Sequence, residues 1–304
     1  MMRRFLPLIA TVVLLGSGCA AGADRAQDRN GLPETLRVGL IPNIAPDAQR
    51  AKYQPFAEHL QQRLGVRVEL FVAADYAGVV AALVGKRIDV AYLGGLTYVQ
   101  AERQVALTPL VTEVDQETGT ARYLSAIVVR TDTAYRDLRR DVVTAGKSFA
   151  FGDVSSTSGS LYPRLMLVEA GAMCSARRVR ECPPLRQVTF TGGHDATAQA
   201  VLGGQVDAGG LELRILHRLE RDGTVAAGAL RVIAQREVQG YPWVMRTDLG
   251  SDAQRTLTEA FTAITDPKLL DLLRAKRYIA AAASDYEDIR RQATELGLAE
   301  PESR

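Results

Sequence analysis

The sequence has 304 residues, of which 47% are hydrophobic and 24% are charged, and its formal net charge is +2. This length allows two lobes of ordinary domain size, each with its own core, and the composition is that of a globular protein. The near-neutral charge and the 6% aromatic content argue against a nucleic-acid partner, which needs a clustered basic face, and against stacking platforms for bases or sugars.

The N-terminal residues predict export. Residues 1–4 are a short basic start, and residues 5–18 are apolar or small apart from one proline. This pattern is typical of a secretory signal peptide and is too short for a transmembrane helix. Gly16 to Cys19 resembles a bacterial lipobox, in which Cys19 would carry the lipid; cleavage without lipidation is the alternative. We therefore predict a lipoprotein signal peptide at residues 1–18 and a flexible tether at residues 19–34, with the protein exported and held at a membrane, in the periplasm or on the cell surface.

Two α/β series follow the tether. In the first, the predicted strands are 36–41, 66–72, 88–92, 108–111 and 123–129, and the predicted helices are 47–64 and 76–84. In the second, the strands are 148–151, 187–190, 206–209 and 230–234, and the helices are 158–170, 195–202 and 213–221. The βαβαβ alternation indicates parallel sheets with helices on their faces. We assign residues 35–131 plus 240–304 to lobe 1 and residues 132–239 to lobe 2, with links near Thr131 and Gly240.

Two stretches of the chain, residues 75–91 and 195–209, look alike. Each reads as a capped short helix, a tight turn and a strand that starts with an aspartate, Asp89 or Asp207. The similarity favours two lobes built on one plan. Coincidence is the alternative, because αβ turns favour glycine and strands favour valine.

Two cysteines remain after Cys19. Cys174 and Cys182 form an even pair in an exported chain, which favours a disulfide that fastens a short surface loop. The alternatives are two free thiols or a metal pair without nearby ligands. No histidine or cysteine spacing is typical of a metal site, and we expect no cofactor.

A run of hydroxyl residues predicts an anion site. Ser155, Ser156, Thr157 and Ser158 precede Gly159 between a strand and a helix. The first turn of a helix has free N–H groups and the positive end of the helix dipole, and glycine lets the backbone approach a ligand. This is the kind of site that holds phosphate or sulfate, whereas an ordinary helix cap needs only one hydroxyl.

His194 is the second candidate for binding. It follows the turn at residues 191–193, at the carboxyl edge of the predicted sheet, where open α/β sheets bind ligands. A catalytic triad with Ser158 and Asp195 is disfavoured, since side chains of sequence neighbours at a helix start diverge. No Gly-x-Ser-x-Gly elbow and no phosphate-binding loop of the Walker type are present. We therefore predict a binding protein and not an enzyme.

Taken together, these segments resemble the phosphate/phosphite/phosphonate substrate-binding proteins of ABC transporters over residues 36–248. The specific parts are residues 75–78, 89–94, 156–159, 193–195 and 241–249. The resemblance implies a type II periplasmic-binding-protein fold, with two α/β lobes and a ligand cleft between them. It also implies a solute-binding component of an ABC importer that takes a small phosphorus oxyanion and docks on the permease. We expect a monomer.

The resemblance carries over to individual residues. It implies that Ser156, Thr157 and Ser158 grip the phosphonyl oxygens and that His194 donates to the same group. Tyr76 and Tyr123 match two binding tyrosines, with packing in a helix or strand as the alternative.

The resemblance also bears on the choice of ligand. Arg214 and Tyr241 stand where aminoalkylphosphonate binders have two acidic residues, so phosphite, phosphate, a small alkylphosphonate or a carboxylated one is expected. Glu212 would restore an amine site under a shifted alignment. The rival hypotheses are a ligand sensor for a membrane kinase and a periplasmic phosphoester hydrolase.

Overall fold

A computed structural model describes residues 30–175 and 178–300 of the chain. The predicted signal peptide, Cys19 and most of the predicted tether lie outside the described residues. Within the described ranges, no helix is long and apolar enough to cross a membrane.

Lobe 1 is built on a six-stranded sheet with strand order β11-β4-β10-β3-β1-β2. Its strands are β1 (Thr35–Leu40), β2 (Arg67–Val72), β3 (Val90–Tyr92), β4 (Leu107–Asp115), β10 (Pro242–Arg246) and β11 (Ala275–Ala280). Its helices are α1 (Pro46–Leu64), α2 (Tyr76–Val84), α3 (Gly95–Glu102), α7 (Gly250–Thr262), α8 (Pro267–Leu272) and α9 (Glu287–Glu295). Helix α1 forms because its buried residues recur every three or four positions, and it ends at Gly65, which takes the left-handed conformation with φ 71°.

Lobe 2 is built on a five-stranded sheet with strand order β7-β6-β8-β5-β9. Its strands are β5 (Arg122–Arg130), β6 (Ser148–Phe151), β7 (Gln187–Phe190), β8 (Ala208–Glu212) and β9 (Leu230–Gln239). Its helices are α4 (Tyr162–Glu169), α5 (His194–Leu202) and α6 (Leu213–Arg221), and two π-helical turns span Leu138–Thr144 and Thr157–Leu161. Without β11, the two sheets have equivalent strand orders, β4-β10-β3-β1-β2 in lobe 1 and β9-β5-β8-β6-β7 in lobe 2. In each sheet one strand, β10 or β5, runs antiparallel to both of its neighbours, and the remaining pairs are parallel.

The chain passes between the lobes twice, at residues 116–121 and at residues 240–241. The first passage lies earlier than the predicted link near Thr131. Strand β5 belongs to lobe 2, because it pairs with β8 and β9 in registers such as Ser125 with Glu212 and Tyr123 with Val238. Lobe 2 therefore begins at residue 122 and not at 132. The polar segment around Thr131 is a turn inside lobe 2, where Thr131 N donates to Ala229 O at 2.9 Å; turns and hinges share this polar composition.

Each lobe has its own core. In lobe 1, Trp243 is fully buried, with ring centroids of Phe56 and Phe261 at 5.0 and 4.8 Å. In lobe 2, two apolar clusters lie on either side of the sheet. Cys174 and Cys182 form a disulfide in the loop that follows α4, and the buried Arg164 donates to Cys182 Sγ at 3.2 Å. Rigid cores of this kind allow the lobes to act as two bodies around the passages between them.

Candidate ligand site between the lobes

The hydroxyl run forms the start of a helical turn at the edge of lobe 2. Ser156 caps the turn, with its Oγ accepting from Gly159 N at 3.0 Å. Ser158 is fully buried, and its Oγ has no hydrogen-bond partner among the described residues. The carbonyl of Ser158 is fixed by Ser125 Oγ at 2.8 Å. The turn is therefore held in place, while two of its buried hydroxyls, Ser158 Oγ and Ser160 Oγ, have no partner among the described residues.

His194 packs directly against this turn. A Cβ on Gly159 would lie 3.0 Å from His194 Cε1 and 2.9 Å from Ser156 Oγ, so only glycine fits there. The backbone N–H of Glu212 donates to His194 Nδ1 at 3.2 Å, which places the proton of the neutral imidazole on Nε2. His194 Nε2 is buried without a hydrogen-bond partner within the described part of the chain. Burial lowers the pKa of His194 to about 4, so the ring is a neutral donor near pH 7.

Two tyrosines approach the turn from different elements. Tyr76 is the first residue of α2 in lobe 1, and its backbone N–H points at Asp153 Oδ2 of lobe 2 at 3.3 Å. Tyr123 lies in β5, and its hydroxyl is buried without a hydrogen-bond partner in residues 30–175 and 178–300. Burial, and then the carboxylate of Asp153 or Glu212, raises the pKa of each phenol. Both hydroxyls are therefore protonated and able to donate.

The lobes touch along both edges of the site. At one edge, Leu96 N of lobe 1 donates to Thr157 Oγ1 at 2.9 Å. At the other, His194 N donates to Asn43 O at 3.1 Å, and Ala45 N donates to Asp195 Oδ2 at 3.1 Å. Because the lobes contact each other on both sides of the site, the cleft is closed.

Asn43 is a site residue that the sequence analysis missed. Its Nδ2 is buried and has no partner among the described residues, and its carbonyl contacts His194. A signal was available, because Asn43 follows the carboxyl end of the first strand, where open α/β sheets bind ligands.

Glu212 is the centre of a buried charge network and was considered from sequence only as a fallback. Its Oε1 accepts from Arg214 Nε at 2.7 Å, and its Oε2 accepts from the Tyr241 hydroxyl at 2.7 Å. Arg274 Nη1 lies 3.5 Å from Oε1, and His194 Nε2 lies 3.9 Å from Oε2. Burial opposes ionisation, but the two guanidinium groups outweigh it and hold the pKa of Glu212 below its usual value.

Arg214 lies differently from what the resemblance led us to expect. It faces the carboxylates of Glu113 and Asp115, at 3.2 and 2.8 Å, next to the first passage between the lobes. Its guanidinium also stacks 4.5 Å from the ring centre of Tyr123. Arg214 therefore ties lobe 2 to the end of β4, and Glu212 is the charged group beside the imidazole.

The structure thus brings most of the sequence-predicted residues into one buried region. Ser158, His194 and Tyr123 have donors without partners, Thr157 joins the lobes, and Ser156 serves as the cap. Tyr76 faces the turn from lobe 1, while Arg214 and Tyr241 support Glu212. Within the described residues, no group of histidine, cysteine or acidic side chains is arranged to hold a metal ion.

Comparison with known proteins gives a family match over most of the chain. The model of a family described as the periplasmic substrate-binding protein of phosphonate ABC transporters matches residues 38–286. The phosphate-import protein PhnD of Mycolicibacterium smegmatis is 36% identical over 203 residues, which are 66% of this chain and 62% of that protein. The match therefore spans less than two thirds of this relative's length.

Two solved structures are similar in fold. A binding protein component of a phosphonate ABC transporter from Pseudomonas aeruginosa has a TM-score of 0.77 at 22% identity, covering 87% of each chain. PhnD1 of Prochlorococcus marinus in complex with methylphosphonate has a TM-score of 0.74 at 24% identity, covering 87% of this chain and 99% of that one. The fold is the type II periplasmic-binding fold that the sequence predicted.

Proposed function

This chain belongs to the family of periplasmic substrate-binding proteins of phosphonate ABC transporters, and we propose that it captures one small phosphorus oxyanion between its lobes and delivers it to the permease of an ABC importer. One observation carries the choice of ligand. Of the twelve buried side-chain atoms that lack partners among the described residues, four are donors from the two lobes around this turn: Asn43 Nδ2, Tyr123 Oη, Ser158 Oγ and His194 Nε2. Buried polar groups are normally paired, so donors grouped beside the start of a helix favour an anion as the missing acceptor.

The carboxylate of Glu212 limits which oxyanions we expect this site to bind. An ionised carboxylate beside the site accepts hydrogen bonds and repels a fully deprotonated anion. It favours a ligand with a P–OH group, such as hydrogen phosphate or the monoanion of phosphite or methylphosphonate, over sulfate, which carries no proton near pH 7. An ammonium group on the ligand would instead approach the guanidinium groups of Arg214 and Arg274 that already share this carboxylate. An aminoalkylphosphonate is therefore disfavoured.

The geometry supports a clamshell mechanism. Lobe 1 contributes Asn43 and Tyr76, and lobe 2 contributes the helical turn and His194, so the donor set is complete only when the lobes meet. Bending at residues 116–121 and 240–241 would open the cleft, as hinge motions do in binding proteins. In the same proposal the chain acts as a monomer, and the lipidated Cys19 holds it at the membrane.

The hydrolase alternative lacks a working base. The carboxylate of Asp195 accepts from Ala45 N and from Ala196 N, so it does not orient the imidazole of His194. The Nδ1 atom of His194 is occupied by the backbone N–H of Glu212. A serine nucleophile at Ser158 would have no oriented base behind it, and the bound phosphorus compound should be recovered unchanged.

Isothermal calorimetry of the parent and single variants tests this function. We expect binding of phosphite, phosphate or methylphosphonate, weaker binding of aminoethylphosphonate and none of sulfate. His194→Ala and Ser158→Ala each remove one donor to a charged acceptor, a loss of about 1.5–3 kcal/mol or roughly 10- to 150-fold in affinity.

His59→Ala is the matched control, because His59 lies in α1 of lobe 1, outside the group of unpartnered donors and outside both passages between the lobes. Its affinities should equal those of the parent. Unchanged affinity in both site variants would place the ligand elsewhere, and binding of none of the phosphorus anions by the parent would reject the function.

A further inference from the structure

A second cavity, of about 700 Å³, lies between the lobes next to the oxyanion site. Lobe 1 contributes Lys52 from α1 and Arg274 from the segment before β11, and lobe 2 contributes Arg218 from α6. None of the four unpartnered oxyanion donors lines this cavity. Its volume is in the range of small-molecule sites. Arg274 connects the two regions, since its Nη1 lies 3.5 Å from Glu212 Oε1.

Two of the four cations that line this cavity, Lys52 and Arg218, are weakly compensated. Lys52 has no carboxylate in ion-pair contact among the described residues. Arg218 reaches only Asp222, at 4.0 Å, and the Asp222 side chain is 60% exposed. Arg274 is buried, and its Nε has no acceptor within the described ranges. Arg274 also pairs with Glu212, whereas Lys52 and Arg218 are half-buried and lack a close carboxylate. Cations that are partly removed from water are ordinarily paired, so this grouping favours negative charge between them.

The three acidic side chains that line the cavity, Asp195, Asp222 and Asp271, make no ion pair with Lys52 or Arg274 among the described residues. The carboxylate of Asp195 is engaged by the backbone N–H groups of Ala45 and Ala196. Asp222 and Asp271 are exposed at the rim.

The cations also act on one another across the cleft. Burial, and then the charges of Arg274 and Arg218, lower the pKa of Lys52. Burial and then Arg274 likewise lower the pKa of Arg218. Lys52 and Arg274 belong to the same lobe, so closing the lobes brings the like charge of Arg218 toward both of them. An anion bound between them would turn this repulsion into attraction and would favour the closed form.

The backbone holds Arg274 at this position at some cost. Arg274 has φ 59°, in the left-handed region that residues with a side chain rarely adopt. This conformation ends helix α8 just after its C-cap Leu273, and it fixes the point from which the Arg274 side chain starts.

We propose that the cavity formed by Lys52, Arg218 and Arg274 is a second anion subsite, which binds a carboxylate or phosphoryl group when the lobes close. The inference rests on the proposed function, because it takes the first anion to occupy the donors around Ser158 and His194. The second anionic group belongs either to the same ligand, as in a carboxylated phosphonate, or to a separate ion.

Calorimetry with three ligand conditions distinguishes these sources. Methylphosphonate alone reports on the first site. Phosphonoacetate adds a carboxylate that is tethered to the phosphonate. Methylphosphonate with added acetate supplies a separate carboxylate, and chloride matches the ionic strength of the other titrations. We expect the parent to bind phosphonoacetate roughly tenfold or more tightly than methylphosphonate if the group is tethered, or to bind methylphosphonate more tightly in acetate if it is free.

Lys52→Gln and Arg218→Gln should each remove that gain and leave methylphosphonate binding in chloride within about twofold of the parent. Arg63→Gln is the control, because Arg63 is exposed in the last turn of α1 and does not line the cavity, so it should leave the gain intact. A second readout does not depend on ligand: removing one of the repelling cations should not lower the unfolding temperature of the free protein.

The outcomes separate the two claims. If the parent binds methylphosphonate but neither phosphonoacetate nor acetate gives a gain, the second subsite is rejected and the proposed function stands. A gain that survives in both the Lys52 and Arg218 variants also rejects it. If no phosphorus anion binds to the parent, the proposed function itself fails.

Discussion

The two lobes contain the same helix–turn–strand unit, and comparing the two copies separates what the fold requires from what the ligand requires. In lobe 1, Asp89 stands before β3 and accepts a hydrogen bond from Arg37 N at 2.9 Å. In lobe 2, Asp207 stands before β8 and accepts from Ser148 N at 2.9 Å. In both copies the carboxylate ties the start of one parallel strand to its neighbour. This part of the unit is structural and is retained in both lobes.

The copies differ where their helices begin. Helix α2 is capped by Asp75, whose side chain accepts from Gly78 N at 2.7 Å. Helix α5 follows Gly193, which offers no side-chain cap. Tyr76 and His194 are the first residues of these helices, so the repeated unit places two predicted ligand residues at equivalent positions on opposite sides of the cleft. The frame is shared, and the residues at the helix start are specialised for binding.

The two copies should differ most in the stability that is lost when the aspartate before β3 or β8, Asp89 or Asp207, is replaced by alanine. Asp89 is fully buried, and Arg246 Nη2 lies 3.0 Å from its carboxylate. Asp89→Ala would leave a buried guanidinium without this partner, and we expect a loss of about 3–5 kcal/mol of stability. Asp207 pairs with Arg186, whose side chain is 64% exposed and can turn to water, so Asp207→Ala should cost about 1–2 kcal/mol.

Chemical unfolding of both variants, followed by circular dichroism, measures these losses. Asp132→Ala is a suitable control, because the Asp132 side chain is 73% exposed and pairs only with the partly exposed Arg130. Equal losses in the Asp89 and Asp207 variants would mean that burial of the charge does not distinguish the two lobes.

The next largest effect is the pH dependence of folding stability, which should differ between the helix-start residues Tyr76 and His194. The pKa of His194 is lowered from 6.5 to about 4 by burial, so between these values the unfolded chain binds a proton that the folded chain does not. The stabilising contribution of the neutral ring is full above pH 6.5 and is lost as the pH falls toward 4. We expect a loss of about 3 kcal/mol over this window in the ligand-free protein.

Unfolding curves between pH 4 and 7 test this expectation against the equivalent position in lobe 1. His194→Gln should flatten the pH dependence in this window. Tyr76→Phe should leave it unchanged, because the pKa of the buried phenol is raised and the group does not titrate there. A parent profile that is already flat between pH 4 and 6.5 would show that His194 is charged in the folded protein.

Much of the fold could be predicted because it depends on local pattern. Helices such as 76–84 and 213–221 were correct to the residue, since apolar spacing and flanking glycine or aspartate fix them. The lobe boundary was displaced because strand β5 has the same alternation whichever sheet it joins. Its partners β8 and β9 lie about 80 to 120 residues further along the chain, and no local feature reveals such a pairing.

The site was predictable to the extent that binding residues lie at helix starts. Ser158 and His194 follow strands and begin helical segments, which sequence can reveal. Asn43 and Arg274 come from loops of lobe 1 that meet lobe 2 only in three dimensions. The role of Arg214 was also beyond sequence reasoning, because its carboxylate partners Glu113 and Asp115 lie about 100 residues away.

The smallest effect concerns the turn between helix and strand, where Lys86 and Gly204 hold equivalent positions with φ 54° and 69°. A side chain in this conformation costs about 1–2 kcal/mol, and a Cβ on Gly204 would also press against Arg130 Nη1, the mobile end of an arginine, so Gly204→Ala should lose about that amount. Lys86→Gly should relieve the same backbone cost in lobe 1. It also gives up the ion pair with Asp248, but both side chains are largely exposed and such pairs contribute about 0–1 kcal/mol. The net change for Lys86→Gly should therefore be a gain below about 1 kcal/mol, detectable as a small rise in the unfolding midpoint.

Lys86→Ala separates the two contributions, because it removes the ion pair while keeping the side-chain cost. If Lys86→Gly is less stable than Lys86→Ala, the two turns do not share the backbone constraint that their φ angles indicate.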